Sequence, residues 1–217
     1  MISVAEALSR LFALVPSPRE EAVPLDAASG RVLLRPMAAL RDQPPFASSA
    51  MDGWALRKAD AAPGARLRIA AHVRPRGGDF ALGAELAAPR RLRPADLALL
   101  AAYGHPALPV ARRPEVAILS TGDELVMPGD APAPDQIFAA NAFGLHALLS
   151  EAGAMPRLLP LVPDDREALA HALSLAEGAD LVLTIGGASV GDHDLVAPAA
   201  QAAGADLSFH KVAMRPG

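Results

Sequence analysis

The chain has 217 residues, with 20 Lys and Arg against 24 Asp and Glu and no cysteine. At about 150 residues per domain that length holds one domain or two small ones. The hydrophobic fraction of 52% with 20% charged residues supplies a buried core and excludes wholesale disorder. A net charge of −4 argues against a general nucleic-acid binder, and the lack of cysteine removes disulfides, thiolate zinc sites and a cysteine nucleophile.

Met1–Glu6 has neither a basic start nor a long apolar run, so it does not read as a signal peptide. The least polar stretches, such as Leu97 to Ala111, broken by Gly104, Pro106 and Pro109, fall short of the ~20 residues that span a bilayer. A cytoplasmic protein without a membrane segment is therefore expected. Residues 3–15 predict a helix: Ser3 is the N-cap with Glu6 three positions on, a capping box, and Ala7, Leu8, Leu11, Phe12 and Val15 follow at helical spacing until Pro16 and Pro18. Glu21–Leu25 predicts a short strand, and Ala27–Leu34 surrounds a turn at Gly30. The segment 41–54 is aperiodic, with paired prolines at 44 and 45 and a turn signal at Asp52-Gly53. Residues 60–94 read as short strands and loops, and Pro94–Tyr103 as a helix closed by Gly104.

From Pro114 the pattern becomes a regular alternation. Strands are expected at Val116–Ser120, Arg157–Val162, Leu181–Ile185 and Leu207–Met214. Helices are expected at Asn141–Glu151, at Asp164–Glu177 with Asp164 as its cap, and at Asp194–Ala203. Apolar strands separated by amphipathic helices predict a mostly parallel, doubly wound α/β sheet, preceded by a smaller irregular α+β region. The expected division is residues 1–112 and 113–217.

In open α/β sheets ligands sit at the carboxyl ends of the strands. Four loops occupy those ends: Ser120–Leu125, Pro163–Asp165, Gly186–Asp194, and His210–Gly217. The glycine-rich third loop suits a phosphate, because glycine lets backbone N–H groups approach closely; it is neither a Walker loop nor a GxGxxG motif. Asp123, Glu124, Asp164 and Asp194 would share one rim. Two like charges ~4 Å apart repel by ~4 kcal/mol at an effective dielectric near 20, so the cluster calls for protonation or a cation, and an all-oxygen donor set favours Mg²⁺. Lys211 and Arg215 add positive charge suited to an oxyanion. Plainer readings compete with each of these. The third loop alone fits an ordinary strand-to-helix turn, Asp164 a helix cap, His210 a structural role and Lys211 a solvated charge. Asp192-His193-Asp194 looks like a metal tripod, yet adjacent residues rarely all face one ion.

Four segments together resemble the molybdopterin molybdenumtransferases, the MoeA type related to the gephyrin E domain: Ser49–Ala55, Ser120–Leu125, Gly186–Asp194 and His210–Gly217. The resemblance covers nearly the whole chain in order. It implies insertion of molybdate into adenylylated molybdopterin with Mg²⁺ and release of AMP, in a homodimer, and it allows a molybdopterin adenylyltransferase as a partner. It implies roles for Asp52 at a cleft between protomers and for Glu124, Asp164 and Asp194 as acidic metal and ligand-positioning residues, Glu124 and Asp194 being the metal ligands. Gly186, Gly187 and Ser189 would line the pterin-phosphate pocket, with Ser120, Thr121, Gly122, Asp123 and Gly191 in the same binding set. Lys211 and Arg215 would hold molybdate or phosphate oxygens.

Departures from the family pattern accompany the likeness. A lid domain inserted after the Met-Asp-Gly segment is missing near residues 70–72, where Leu67–Ala70 passes almost directly into Ala71–Asp79. The resemblance would place the family's last sheet elements and C-terminal β domain beyond Pro216-Gly217, so the sequence looks like an internally shortened and C-terminally cut member. Phe138, Ala139 and Ala140 replace more polar residues. Two other functions stand beside the enzyme reading: a non-catalytic molybdopterin-binding or scaffold module, and a divergent Mg²⁺-dependent nucleotide-binding enzyme.

Overall fold

The computed structural model describes residues 1–47, 58–60, 62–66, 75–186, 195–209 and 212–214. The chain divides into two compact units, one of Arg19–Arg112 and one of Arg113–Gly217 joined by Met1–Pro18. The first eighteen residues thus depart from the sequence-based division, which kept them with the rest of 1–112. Their attachment is local: Ile2 pairs in parallel with Val212, the Ala213 N–H donates to the Ile2 carbonyl at 2.8 Å, and Arg10 donates to the Ser208 carbonyl at 3.0 Å.

Helix α1 runs over Val4–Leu14. Ser3 Oγ accepts the Glu6 N–H at 3.1 Å, which is the expected cap, but the Glu6 carboxylate is bonded to Arg10 one turn on. The i,i+4 ion pair thus takes the group that would have completed the capping box.

The Arg19–Arg112 unit is antiparallel. Strand β1 (Glu20–Pro24) pairs with β6 (Ala107–Ala111), and β6 meets β2 (Val32–Leu33), which pairs with β5 (Arg90–Arg91). A second ladder joins β3 (Met37–Ala38) to β4 (Glu85–Leu86). Helix α2 covers Pro94–Tyr103 and ends at Gly104, whose φ of 99° is the left-handed cap the sequence announced. Leu33, Leu92, Leu100, Leu108 and Val110 are fully buried between these elements. Phe80 meets Tyr103 edge to face with ring centroids 4.7 Å apart. The core is closed by charge pairing: the half-buried Asp96–Arg90 contact is 2.8 Å, and Arg31, itself buried, bonds Glu21 and the Ala111 carbonyl.

The other unit carries the parallel sheet. Strand β7 (Glu115–Ser120) lies between β10 (Met155–Leu158) and β11 (Leu181–Ile185), both parallel to it. Val116–Leu119 are buried, as a strand covered on both faces requires. A short parallel pair, β8 (Leu125–Val126) with β9 (Ile137–Phe138), follows β7. Helices α3 (Ala140–Ala152), α4 (Arg166–Leu175) and α5 (Val196–Ala202) complete the unit. No helix among the described residues is long and apolar enough to cross a membrane.

Three expected elements differ here. The second parallel strand, expected over Arg157–Val162, runs over Met155–Leu158: the Leu159 N–H still donates to the Ile118 carbonyl at 2.9 Å, but the next bond to β7 comes from the Val162 N–H to the Ser120 carbonyl at 3.0 Å, one residue later than the ladder's alternation, so the chain bulges across Pro160-Leu161. The fourth strand, expected over Leu207–Met214, is reduced among the described residues to the bridge between Val212 and Ile2. The helix expected to start at Asp164 starts at Arg166, with Asp165 as its cap.

Candidate functional site

The carboxyl ends of β7, β10 and β11 are locked together by backbone bonds. The Thr121 N–H donates to the Ile185 carbonyl at 2.9 Å, and the Gly122 N–H to the Val162 carbonyl at 3.1 Å. Behind the tips, Leu119, Val162, Leu169 and Ala172 form one buried cluster, so α4 is pinned against the sheet just after the Pro163–Asp165 loop. Leu169 and Ala172 on one helical face decide which aspartate caps α4: with them buried, Asp165 Oδ1 accepts the Ala168 N–H at 2.9 Å.

Asp164 is thereby free for a different arrangement. The buried Thr121 hydroxyl donates to its Oδ1 at 2.9 Å, and the Asp164 N–H donates to Asp123 Oδ1 at 3.1 Å. The cap reading of Asp164 is corrected accordingly. Loops after β7 and β10 meet through these two bonds, which the sequence did not reveal. The one available signal was the doublet Asp164-Asp165, where two adjacent aspartates compete for a single cap.

Two glycines shape the floor. Gly186, at the end of β11, has φ +90°, and a Cβ there would lie 2.2 Å from the Thr121 carbonyl oxygen. Gly122 has φ +150°, and its Cα is covered by the Glu124 carboxylate, 2.5 Å from where a Cβ would stand. Ser120 and Thr121 are buried, each 3% exposed, while Asp123, Glu124 and Asp164 are exposed at the rim. Among the described residues no Lys or Arg forms an ion pair with those three carboxylates.

Asp123 and Asp164 are joined through the bond above, and Glu124 stands beside them on the β7 loop. All three offer the oxygen donors a hard cation takes. Yet one oxygen of each aspartate already accepts a hydrogen bond, and among the described residues no group of three or more His, Asp or Glu side chains gathers closely enough to hold a metal ion. Asp52, Gly187, Ser189, Gly191, Asp194, Lys211 and Arg215 lie outside the described residues, as do His210 and the Asp192-His193-Asp194 run.

This rim falls in a region that matches the family model described as a probable molybdopterin binding domain, over residues 117–217, and residues 2–71 match the MoeA N-terminal region, domains I and II. The chain resembles the MoeA family along its length. A molybdopterin molybdenumtransferase of Nostoc sp. is 33% identical over 284 aligned positions, covering 100% of this chain and 65% of the relative. Molybdopterin molybdenumtransferase 2 of Mycobacterium tuberculosis is 38% identical over 153 positions, 67% of this chain and 38% of its own length. A crystal structure of the MoeA molybdopterin biosynthesis protein from Pyrococcus horikosii superposes with a TM-score of 0.81 at 25% identity, covering 100% of this chain and 70% of that one. The chain thus spans 65% or less of these curated relatives. The Nostoc alignment, at 284 positions against 217 residues, also gives the relative material inside the matched region that this chain lacks.

Proposed function

We propose that the chain binds adenylylated molybdopterin at the rim formed by the loops after β7, β10 and β11 and takes part in inserting molybdate, with release of AMP. The observation that carries this reading is the convergence of Thr121, Asp123 and Asp164 from two strand tips, inside the stretch matched as molybdopterin-binding. Named relatives are molybdopterin molybdenumtransferases, which supports a transferase. In this reading Gly186, Gly187, Ser189 and Gly191 bring backbone N–H groups to the phosphates, aided by Ser120, Thr121 and Gly122 of the β7 loop. Lys211 and Arg215 hold molybdate or phosphate oxygens.

The oxygen-only chemistry of Glu124 and Asp194 suits Mg²⁺, which when bound would neutralise phosphate and molybdate charge; Asp164 then orients the ligand. Asp52 belongs to the same reaction, in a homodimer whose partner supplies part of the cleft. Cytoplasmic location and contact with a molybdopterin adenylyltransferase belong to this reading as well. The Arg19–Arg112 unit and the unit of Arg113–Gly217 with Met1–Pro18 would divide the work, the latter carrying the pterin rim.

The test is reconstitution with adenylylated molybdopterin, molybdate and Mg²⁺, following AMP release. Turnover that falls at least about tenfold in Asp164→Ala, about 1.4 kcal/mol of transition-state stabilisation, is expected. Saturable binding without AMP release would leave a binding module, and no binding at all would reject the reading.

A further inference from the structure

We infer that Thr121 and Asp123 are positioning residues that hold Asp164 from two sides, and that Gly186 is glycine because the Thr121 backbone leaves it no room. This deepens the reading above and rests on it, since it supposes that Asp164 meets the bound pterin nucleotide.

The Thr121 hydroxyl fixes one carboxylate oxygen of Asp164 at 2.9 Å, and Asp123 fixes its backbone N–H at 3.1 Å. One bond sets the side chain and the other sets the loop that carries it. Both come from the segment after β7, so Asp164, on the segment after β10, is registered to the central strand of the sheet. Thr121 is only 3% exposed, and water competes poorly for a hydrogen bond made by a buried donor. A carboxylate held in this way meets a ligand without first losing its own rotational freedom, which is the benefit of preorganisation.

The third strand completes the device. Thr121 is tied to β11 by its N–H, bonded to the Ile185 carbonyl at 2.9 Å, and its carbonyl oxygen lies 2.2 Å from where a Cβ at 186 would stand. A side chain at 186 would therefore move Thr121, and through it Asp164. Glycine here serves the neighbouring strand as well as its own turn.

The experiment uses the full chain and two readouts. In calorimetric titration with adenylylated molybdopterin, Thr121→Val is expected to weaken binding about tenfold, and Thr121→Ser, which keeps the hydroxyl, to restore most of it. In an Asp164→Ala background the same Thr121→Val change should have no further effect, because residues acting through one another are non-additive. Equal weakening in both backgrounds would overturn the assignment. Hydrogen exchange of the Asp164 amide in the ligand-free chain gives the second readout. Asp123→Ala and Thr121→Val should each speed it about fivefold, the scale of one net hydrogen bond, while Asp123→Asn and Thr121→Ser leave it near the wild-type rate. Unchanged exchange in the first pair would contradict the positioning roles. Wild type that binds no pterin would remove the proposed function, and the amide readout would still decide whether the two residues hold Asp164.

Discussion

Acidic side chains in the Arg19–Arg112 unit and at the strand tips of the parallel sheet are held by different chemistry. In the former, carboxylates pair with guanidinium groups: Glu21 with Arg31, Glu20 with Arg35, Asp42 with Arg76, and Asp96 with Arg90 and Arg93. At the tips, Asp164 is held by a hydroxyl, and Asp123 by a backbone N–H. Neutral donors fix the geometry but leave the negative charge in place, so among the described residues the tips present carboxylates that the fold has not neutralised. One region uses charge to close its own surface, whereas the other keeps it for whatever binds there. The acidities agree with the first half of this contrast. The Leu82 N–H and then Arg76 hold Asp42 below the ordinary carboxylate range, and Arg90 followed by the Arg93 N–H lowers Asp96 to about 2.

The sharpest way to break the contrast is to damage each region separately. Leu100 is fully buried in the antiparallel unit, so Leu100→Ala should cost about 2–5 kcal/mol in denaturant unfolding. Below its transition it should leave exchange of the Asp164 amide unchanged; a faster Asp164 amide would show that the two regions are not independent. Gly186→Ala should cost about 2 kcal/mol through its left-handed backbone alone, and should also accelerate Asp164 amide exchange, because the new Cβ meets the Thr121 carbonyl. If the same instability came with an unaltered Asp164 amide, the strand-to-strand coupling would be wrong. A smaller effect is expected from acid. Asp96 has a lower pKa folded than its ordinary 3.8, so its contribution to stability is fully present above about 3.8 and is lost as pH falls through about 2. Asp96→Asn should therefore flatten the pH dependence of unfolding over that interval, and a wild-type slope surviving in Asp96→Asn would assign it to other carboxylates. The least change is expected for Glu6→Gln on exposed α1, about 0.3–0.5 kcal/mol in thermal unfolding at low salt, as an i,i+4 surface pair allows; a loss above 1 kcal/mol would mean that Glu6 does more than pair with Arg10.

What the sequence made legible was whatever a short window encodes. Pro94 at the start and Gly104 at the end delimit α2, and the apolar runs at Val116–Ser120 and Leu181–Ile185 have the composition of buried parallel strands. Strand β6 did not declare itself, since Pro109 sits inside it and its place depends on β1, more than eighty residues earlier. The two-residue strands β2 to β5 carry no periodicity to detect, only partners. At the rim, the motif residues Thr121, Asp123 and Asp164 stood out, but their hydrogen bonds did not. Which of Asp164 and Asp165 caps α4 depends on how Leu169 and Ala172 pack on Leu119 and Val162, a tertiary choice that local capping rules leave open.

The most direct test of the account is a crystal structure of the full chain with adenylylated molybdopterin and Mg²⁺ bound. The account predicts the ligand's phosphates at the tips of β7, β10 and β11, with Glu124 and Asp164 at its edge and the Thr121–Asp164 bond intact. A ligand seated elsewhere, for instance in the groove that Arg166, Ala170 and Ala199 line between α4 and α5, with Asp164 untouched, would contradict it.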